Sequence, residues 1–179
     1  MTDPITFVPL ASDAELVELE QLAYEIWNEH YVPIIGQAQV DYMLERFQSR
    51  AAMREQIAAG YEYYGVRRGG SLIGYMAVRA EPEQKRLFIS KLYLHKSSRG
   101  SGTGRLCMEF IERLARQRDL EYLWLTVNKG NPSVQIYERL GFRIAADIVM
   151  DIGNGFVMDD FRMEKALRAE VEATSSRES

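Results

Sequence analysis

The chain has 179 residues, of which 46% are hydrophobic and 27% are charged, and its formal net charge is −4. A chain of this size and composition can bury an adequate core without disulfides or metal ions, so one globular domain is the default expectation. The slight acidity disfavours nucleic acid and anionic membrane surfaces as partners, because both attract basic proteins.

The first sixty residues predict one strand followed by helices. The run "ITFVPL" is typical of a short strand, and Ser12 and Glu15 after it have the spacing of a capping box. Apolar residues then recur at helical intervals to about His30, where "YVPIIG" interrupts the helix. A second amphipathic helix is predicted around Val40, and helical character continues to Gly60.

Three strands are predicted next, because the runs "YEYYGVRR", "SLIGYMAVRA" and "RLFISKLYL" are rich in β-branched and aromatic residues. Gly69 and Gly70, between the first two runs, suit a tight hairpin turn. The polar stretch "EPEQK" predicts a loop before the third strand.

The remaining elements alternate between helix and strand. A glycine-rich segment leads into a helix that ends near Arg118, and "YLWLTV" predicts a further strand. Asn131 and Pro132 mark a helix start, with asparagine as the cap, and Gly141 marks the end of that helix. Two last strands are expected on either side of "GNG".

This order of elements predicts a mixed sheet covered by helices, in the α/β or α+β class. We expect a single domain over residues 1–167. The polar tail, residues 168–179, is predicted to be disordered because it has too few apolar residues to fold.

The sequence offers little for metal, disulfide or membrane chemistry. The single cysteine, Cys107, cannot form an internal disulfide, and His30 and His95 are too far apart to give zinc-ligand spacing. No apolar run approaches the ~18 residues of a membrane span, and no N-terminal secretion signal is present. We therefore expect a reduced, cytoplasmic protein with no metal.

The segment "RGSGTG" lies between a predicted strand and a predicted helix. One glycine there would be explained by backbone geometry alone. Three at alternate positions, Gly100, Gly102 and Gly104, leave successive backbone N–H groups free to converge on an anion at a helix N-terminus. The pattern therefore predicts a phosphate-bearing ligand. A Walker loop is excluded because Arg105, rather than lysine, follows Gly104, and the glycine spacing of a dinucleotide fingerprint is missing.

Two motifs in the chain resemble those of the GCN5-related N-acetyltransferase (GNAT) family. The segment "RGSGTG" matches the family's Q/R-x-x-G-x-G/A signature, and "LYLHKSSRG" resembles the central strand before it. The stretch "NKGNPSVQIYERLGF", residues 128–142, is similar to the second signature, with asparagines, a tyrosine-bearing helix and Gly-Phe. The resemblance covers roughly residues 5–165. It implies a mixed, mostly antiparallel sheet of six or seven strands, splayed between the fourth and fifth.

The resemblance implies acetyl-CoA as the co-substrate. Its diphosphate is expected on the backbone of the glycine-rich segment, and its pantetheine arm is expected between the splayed strands, where it pairs like an added strand. The residues implied in this binding are Leu92, Tyr93, Leu94, Arg99, Gly100, Ser101, Gly102, Thr103, Gly104, Arg105, Asn128, Asn131, Ser133 and Tyr137.

Acetyl transfer to an amine requires a proton acceptor for the ammonium, a donor to the carbonyl oxygen and a proton donor for the departing thiolate. The resemblance implies that Tyr137 is the acid and that the backbone N–H of Leu92 contacts the oxyanion. No motif marks the general base. Glu62 on the second strand and Glu29 at the end of the first helix are candidates, and a chain of waters is the alternative.

The acceptor site is expected at the first helices and the last strand pair, as the resemblance implies. Aromatic rings close to carboxylates suit a cationic amine. The candidates are Trp27, His30, Tyr31, Tyr42 and Asp160. Core packing is the alternative role for Trp27, which has helical core spacing.

We predict an N-acetyltransferase that moves an acetyl group from acetyl-CoA to a primary amine by direct attack in a ternary complex. The segment "YVPIIGQAQVDYML" resembles the polyamine and small-amine branch of the family, so such an amine is the favoured acceptor. A protein N-terminus or lysine is the alternative acceptor, and a non-catalytic acyl-CoA sensor is the alternative function. Relatives are often dimers, but the sequence has no specific interface signal, so the oligomeric state is left open, with a homodimer as one candidate. No nucleic-acid or membrane partner is expected.

Overall fold

A computed structural model describes residues 3–167 of the chain. The elements in chain order are β1 (Ile5–Leu10), α1 (Asp13–His30), α2 (Val32–Ile35), α3 (Gln37–Phe47), α4 (Arg50–Ala58), β2 (Glu62–Arg68), β3 (Ser71–Glu81), β4 (Arg86–Leu94), α5 (Thr103–Gln117), β5 (Tyr122–Asn128), α6 (Ser133–Arg139), β6 (Arg143–Gly153) and β7 (Phe156–Ala166). The tail predicted to be disordered, 168–179, lies outside the described residues.

The seven strands form one sheet in the order β1-β2-β3-β4-β5-β7-β6. The pairs β1–β2, β2–β3, β5–β7 and β6–β7 are antiparallel, and β4–β5 is parallel. This topology confirms the predicted mixed, mostly antiparallel sheet. The parallel register joins Arg86–Phe88 to Tyr122–Trp124. So short a pairing fits the predicted splay, which stays a prediction for the rest of the two strands.

The described chain divides into two compact units. The first comprises the residues up to Arg79 together with Ser90–Met108, and the second comprises Ala80–Ile89 and the residues from Glu109 onward. The expectation of a single domain stays a prediction.

In the first unit, α1 begins with the predicted capping box. The Ser12 hydroxyl accepts from the Glu15 N–H at 3.3 Å, and the Glu15 carboxylate accepts from the Ser12 N–H at 2.9 Å. The helix contacts α2, α3 and α4. It buries one stripe of apolar side chains at helical spacing, namely Leu16, Leu19, Leu22, Ala23, Ile26 and Trp27. Burial of this stripe, more than helix propensity, stabilises α1.

The helical region after α1 is more broken than the sequence predicts. The interruption "YVPIIG" contains the one-turn helix α2, and the run expected to continue to Gly60 is divided into α3 and α4. At the division, the Ser49 hydroxyl accepts from the Ala52 N–H at 3.2 Å and caps α4. Gln48 is buried and accepts from the Tyr75 hydroxyl at 2.8 Å. This tertiary hydrogen bond holds the chain at the break.

The backbone conformation or its surroundings require glycine at two positions of the first unit. Gly69, with φ +60°, lies in the predicted turn between β2 and β3. Gly74 lies on β3, where a Cβ atom would come within 2.5 Å of the Tyr93 carbonyl oxygen on β4. Only a residue without a side chain permits this approach of the two strands.

In the second unit, β6 and β7 form the predicted hairpin. Asn154 and Gly155 connect them with φ values of +53° and +78°, which are typical of the two-residue turns that suit twisted hairpins. Helix α6 begins at Ser133, one residue later than predicted, and Asn131 provides the expected cap by accepting from the Ser133 N–H at 2.9 Å. Gly141, with φ +98°, ends the helix as predicted.

Lys91, on β4 in the first unit, is a buried cation. Its side chain is 5% exposed, and its ammonium donates to the Phe47 carbonyl at the end of α3 and to the Tyr63 hydroxyl at 2.6 Å. The Tyr63 hydroxyl in turn donates to Gln56. No carboxylate pairs with Lys91 among residues 3–167, and burial lowers the pKa of Lys91 from 10.5 to about 7.

Lys91 makes stability depend on pH. Between about pH 7 and 10.5 the unfolded chain holds a proton on Lys91 that the folded chain does not hold, so stability rises with pH in this window and is lost as pH falls through 7. In wild type, this raises the free energy of unfolding by a few kcal/mol across the window, and we expect Lys91→Met to abolish that rise. Urea unfolding at pH 7, 8, 9 and 10 measures the difference between wild type and variant. Lys96→Met, at an exposed lysine, is the control, and equal slopes for wild type and Lys91→Met would contradict the assignment.

Candidate functional site

The glycine-rich loop connects the end of β4 to the start of α5. Gly100 and Gly102 have φ values of +76° and +82°, a backbone region that glycine adopts without strain. A Cβ atom at either position would meet no heavy atom within 4 Å apart from its chain neighbours. Since the first N–H groups of a helix have no acceptor within it, the open backbone beside the start of α5 fits a phosphate group.

Hydroxyl side chains hold this loop in shape. The Ser101 hydroxyl donates to the Ser98 carbonyl at 2.8 Å and lies 2.9 Å from the Thr103 hydroxyl oxygen. Ser98 and Thr103 are each 1% exposed. The loop is therefore ordered by its own contacts, which lowers the entropy lost when it binds a ligand.

Arg99 fastens the loop to two other elements of the first unit. Its Nε donates to the Leu94 carbonyl at 3.1 Å, and its Nη2 lies 2.9 Å from Glu29 Oε2 at the end of α1. The hydrogen bond from Arg99 holds the pKa of Glu29 below its usual value. A predicted co-substrate residue and a predicted base are thus ion partners, and Glu29 is a weaker proton acceptor than a free glutamate.

The end of β4 carries Leu92, Tyr93 and Leu94, all half-buried. Beyond them, the His95 N–H donates to the Ile73 carbonyl of β3 at 2.8 Å. The backbone contacts expected of Leu92 and its neighbours with a pantetheine arm stay predictions.

Three of the predicted acceptor residues lie together in the first unit. Trp27 stacks on Tyr31 with ring centroids 4.2 Å apart, and His30 meets the Tyr31 ring edge-on at 4.8 Å. Tyr93 adds a further ring 5.4 Å from Trp27. Trp27 is 3% exposed, in line with its alternative core role. The half-buried members, Tyr31 and His30, are the ones with surface left for a ligand.

Tyr42 on α3 and Glu62 on β2 are also half-buried. The Tyr64 hydroxyl lies 3.4 Å from Glu62 Oε1, at the limit of a hydrogen bond. The acceptor contact predicted for Tyr42 and the base role predicted for Glu62 stay predictions.

In the second unit, two predicted asparagines shape the chain after β5. Asn128 accepts from the Gly130 N–H at 2.8 Å, and Asn131 caps α6 through Ser133. Asn131 is 6% exposed. These bonds are structural, so contacts of both asparagines and of Ser133 with a co-substrate stay predictions.

Tyr137 lies on α6 and is half-buried. Its ring meets that of Phe142 edge-on, with centroids 5.7 Å apart, and its carbonyl accepts from the Phe142 N–H at 3.0 Å. The Gly-Phe end of the motif therefore supports the tyrosine ring.

Asp160 on β7 is 2% exposed and lies opposite Asn128 of β5. Burial raises the pKa of Asp160 to about 6, and the nearby Asp159 charge adds to the rise. A hydrogen bond with Thr126 and the Lys129 charge oppose it. The Lys129 ammonium pairs with the exposed Asp159 at 2.9 Å. Within residues 3–167, Asp160 has no ion pair, so a cation placed beside it would relieve the cost of its burial.

Over the described part of the chain, no group of three or more His, Cys, Asp or Glu side chains is placed to hold a metal ion. No helix between residues 3 and 167 is long and apolar enough to cross a membrane.

A family model that matches most of the chain identifies the family to which the protein belongs. A model of the Acetyltransferase (GNAT) family matches residues 17–142, which include the loop, the start of α5, and α6 with Tyr137. The chain belongs to the GNAT acetyltransferase family. As a GNAT protein it is an acyl-CoA-dependent N-acetyltransferase, and acetyl-CoA is its co-substrate. No curated protein sequence matches the chain.

Solved structures confirm the GNAT fold. The PaiA N-acetyltransferase of Thermoplasma acidophilum, solved with coenzyme A, is 20% identical with a TM-score of 0.76, over 91% of this chain and 99% of that one. A chimera of the spermidine N-acetyltransferase SpeG from Vibrio cholerae and hSSAT is 17% identical with a TM-score of 0.70, over 94% of this chain and 98% of that one. The ribosomal-protein-S18-alanine N-acetyltransferase of Escherichia coli is 16% identical with a TM-score of 0.66, over 92% and 94%.

Gly102→Val tests the loop of this GNAT protein. A β-branched residue is strained at the φ of +82° found there, so the loop must change shape and move its N–H groups. We expect the dissociation constant for acetyl-CoA, measured by isothermal titration calorimetry, to increase about 10-fold or more. Gly70→Val is the matched control, because Gly70 has equally open surroundings without a positive φ. Unchanged affinity of the Gly102 variant would contradict a role for the loop backbone.

Proposed function

We propose that this GNAT protein acetylates a primary amine of a small molecule, with a polyamine or another small amine as the favoured acceptor. The amine attacks acetyl-CoA directly in a ternary complex. The observation that carries the amine assignment is Asp160, a carboxylate that is 2% exposed and has no ion pair within residues 3–167. The nearby Lys129 charge offsets the burial of Asp160 only in part, because the pKa of Asp160 is still raised to about 6. An acceptor ammonium beside the carboxylate would stabilise it further.

The glycine-rich loop is proposed to hold the diphosphate of acetyl-CoA. Its two positive-φ glycines and the first turn of α5 offer backbone N–H groups to an anion. Asn128, Asn131, Ser133 and the end of β4 are proposed to contact the rest of the co-substrate.

The protons of the reaction balance with two protein groups. Forming the amide removes two protons from the acceptor ammonium, and the C–S bond breaks as the C–N bond forms. Tyr137 donates one proton to the sulfur and regains one from the nitrogen, and the second proton leaves through the general base to solvent. The backbone N–H of Leu92 donates to the thioester carbonyl oxygen and stabilises the negative charge that develops there.

The general base is proposed to be Glu62 or a chain of waters. The ion pair with Arg99 lowers the pKa of Glu29, which makes Glu29 the weaker candidate.

Aromatic side chains support a cationic acceptor. The rings of Tyr31 and His30 lie 4.8 Å apart, and the face of an aromatic ring attracts an ammonium group. The structural likeness to a spermidine N-acetyltransferase agrees with this class. The likeness to a ribosomal-protein N-acetyltransferase makes a protein N-terminus the second acceptor to test. A homodimer and a cytoplasmic location stay predictions.

Release of CoA thiol across an amine panel tests the proposed function. The panel contains polyamines, amino acids, aminoglycosides and short peptides with a free N-terminus. We expect kcat/KM for a polyamine to exceed the others by about 10-fold or more, because a second ammonium adds a charge contact. A preference for peptides would overturn the small-amine assignment in favour of protein acetylation. No turnover of any acceptor would overturn the proposed acceptor class.

Tyr137→Phe tests the proposed acid. The variant keeps the ring contact with Phe142 but cannot protonate the thiolate, so we expect kcat to fall about 100-fold. Acetyl-CoA affinity should stay within about 2-fold, because the hydroxyl alone is removed. Tyr122→Phe, on β5, controls for the loss of a phenol elsewhere in the same unit. Wild-type turnover by Tyr137→Phe would show that another group protonates the sulfur.

A further inference from the structure

We infer that Arg68, the last residue of β2, binds the diphosphate of acetyl-CoA. This inference rests on the proposed role of the glycine-rich loop and adds a residue from outside both sequence motifs. Arg68 comes directly before the Gly69 turn, about thirty residues ahead of the loop.

The fold brings Arg68 to the start of α5. Its Nη2 donates to the hydroxyl of Thr103 at 3.2 Å. Thr103 is the first residue of α5, is 1% exposed, and also contacts Ser101 of the loop. The guanidinium of Arg68 therefore lies beside the N–H groups that the loop offers to an anion.

Arg68 lacks a negative partner at this place. Among residues 3–167 no carboxylate pairs with it, and its Nε is buried without an acceptor. A cation next to the positive end of a helix dipole is unfavourable. An anion at the loop would offset the guanidinium charge and the helix dipole at once.

The neighbouring Arg67 has the carboxylate partner that is usual for an arginine near the surface. Arg67 pairs with Glu18 at 3.2 Å and also donates to the Gly70 carbonyl. Both arginines are half-buried, and they differ in that Arg67 has a carboxylate and Arg68 has none. Arg67 is therefore a matched control for the loss of one arginine from the same strand end.

The diphosphate is the part of acetyl-CoA assigned to Arg68. A guanidinium presents parallel N–H groups that match two phosphate oxygens, and such charge-assisted bonds are stronger than neutral ones. The 3′-phosphate of the co-substrate has the same chemistry. We assign the diphosphate because Thr103, the residue that Arg68 contacts, belongs to the loop proposed to hold that group.

Arg68→Met tests the inference with three ligands. We expect the variant to bind acetyl-CoA about 10- to 100-fold more weakly, the loss typical of a hydrogen bond to a charged group. The same loss is expected with acetyl-(3′-dephospho)-CoA, and inorganic diphosphate should compete with acetyl-CoA less well in the variant than in wild type. Turnover with acetyl-pantetheine, which carries no diphosphate, should be unchanged. Arg67→Met should match wild type throughout, and Arg68→Lys should restore part of the affinity.

The outcomes separate the inference from the proposed function. Wild-type affinity in Arg68→Met would overturn the inference, and so would an equal loss with acetyl-pantetheine, because that indicates a damaged fold. A loss that disappears with the dephospho compound would move the contact to the 3′-phosphate and overturn the assignment to the diphosphate. If the wild-type protein itself bound no acetyl-CoA, the proposed function would fail before Arg68 was tested.

Discussion

Arg99 lies in the loop between β4 and α5 and connects the end of β4 to the end of α1. Its Nε holds the last carbonyl of β4, and its guanidinium pairs with Glu29 at the end of α1. A strand and a helix that meet at a loop with two positive-φ glycines would otherwise be free to reorient, because glycine has the largest conformational freedom. The contacts of Arg99 restrict this reorientation through a side chain, so the backbone N–H groups of the loop stay uncovered. The shape of the candidate site depends on these contacts.

Much of the fold was predictable because its signals are local. The capping box of Ser12 and Glu15, the glycine turn after Arg68 and the "GNG" hairpin each depend on a few adjacent residues. The division of α3 from α4 was not predicted. Ser49 caps α4 locally, but the break is also held by a hydrogen bond between Gln48 and Tyr75 that joins distant parts of the chain. Helical periodicity continues through such a break, since both segments bury a face against α1.

In the candidate site, too, residues in local motifs were predictable and residues whose role depends on distant contacts were not. The loop and the Tyr137 helix are contiguous motifs, so the sequence alone identifies them and the family match confirms the family. Asp160 could be named as an acidic residue near a hairpin, but its burial opposite Asn128 depends on strand register. Arg68 had no signal at all, because a basic residue at a strand end is ordinary. Its significance comes only from the Thr103 hydroxyl that the fold places against it.

The buried ammonium of Lys91 has a chemical consequence of its own. With a pKa of about 7, roughly half of these side chains are free amines at neutral pH, and a free amine is a nucleophile. Only burial protects it from electrophiles, because its 5% exposure leaves almost no path for a reagent. Acylation of Lys91 therefore requires the end of α3 to lift from β4. The rate at which an amine-reactive reagent labels this one lysine would then report how often the first unit opens.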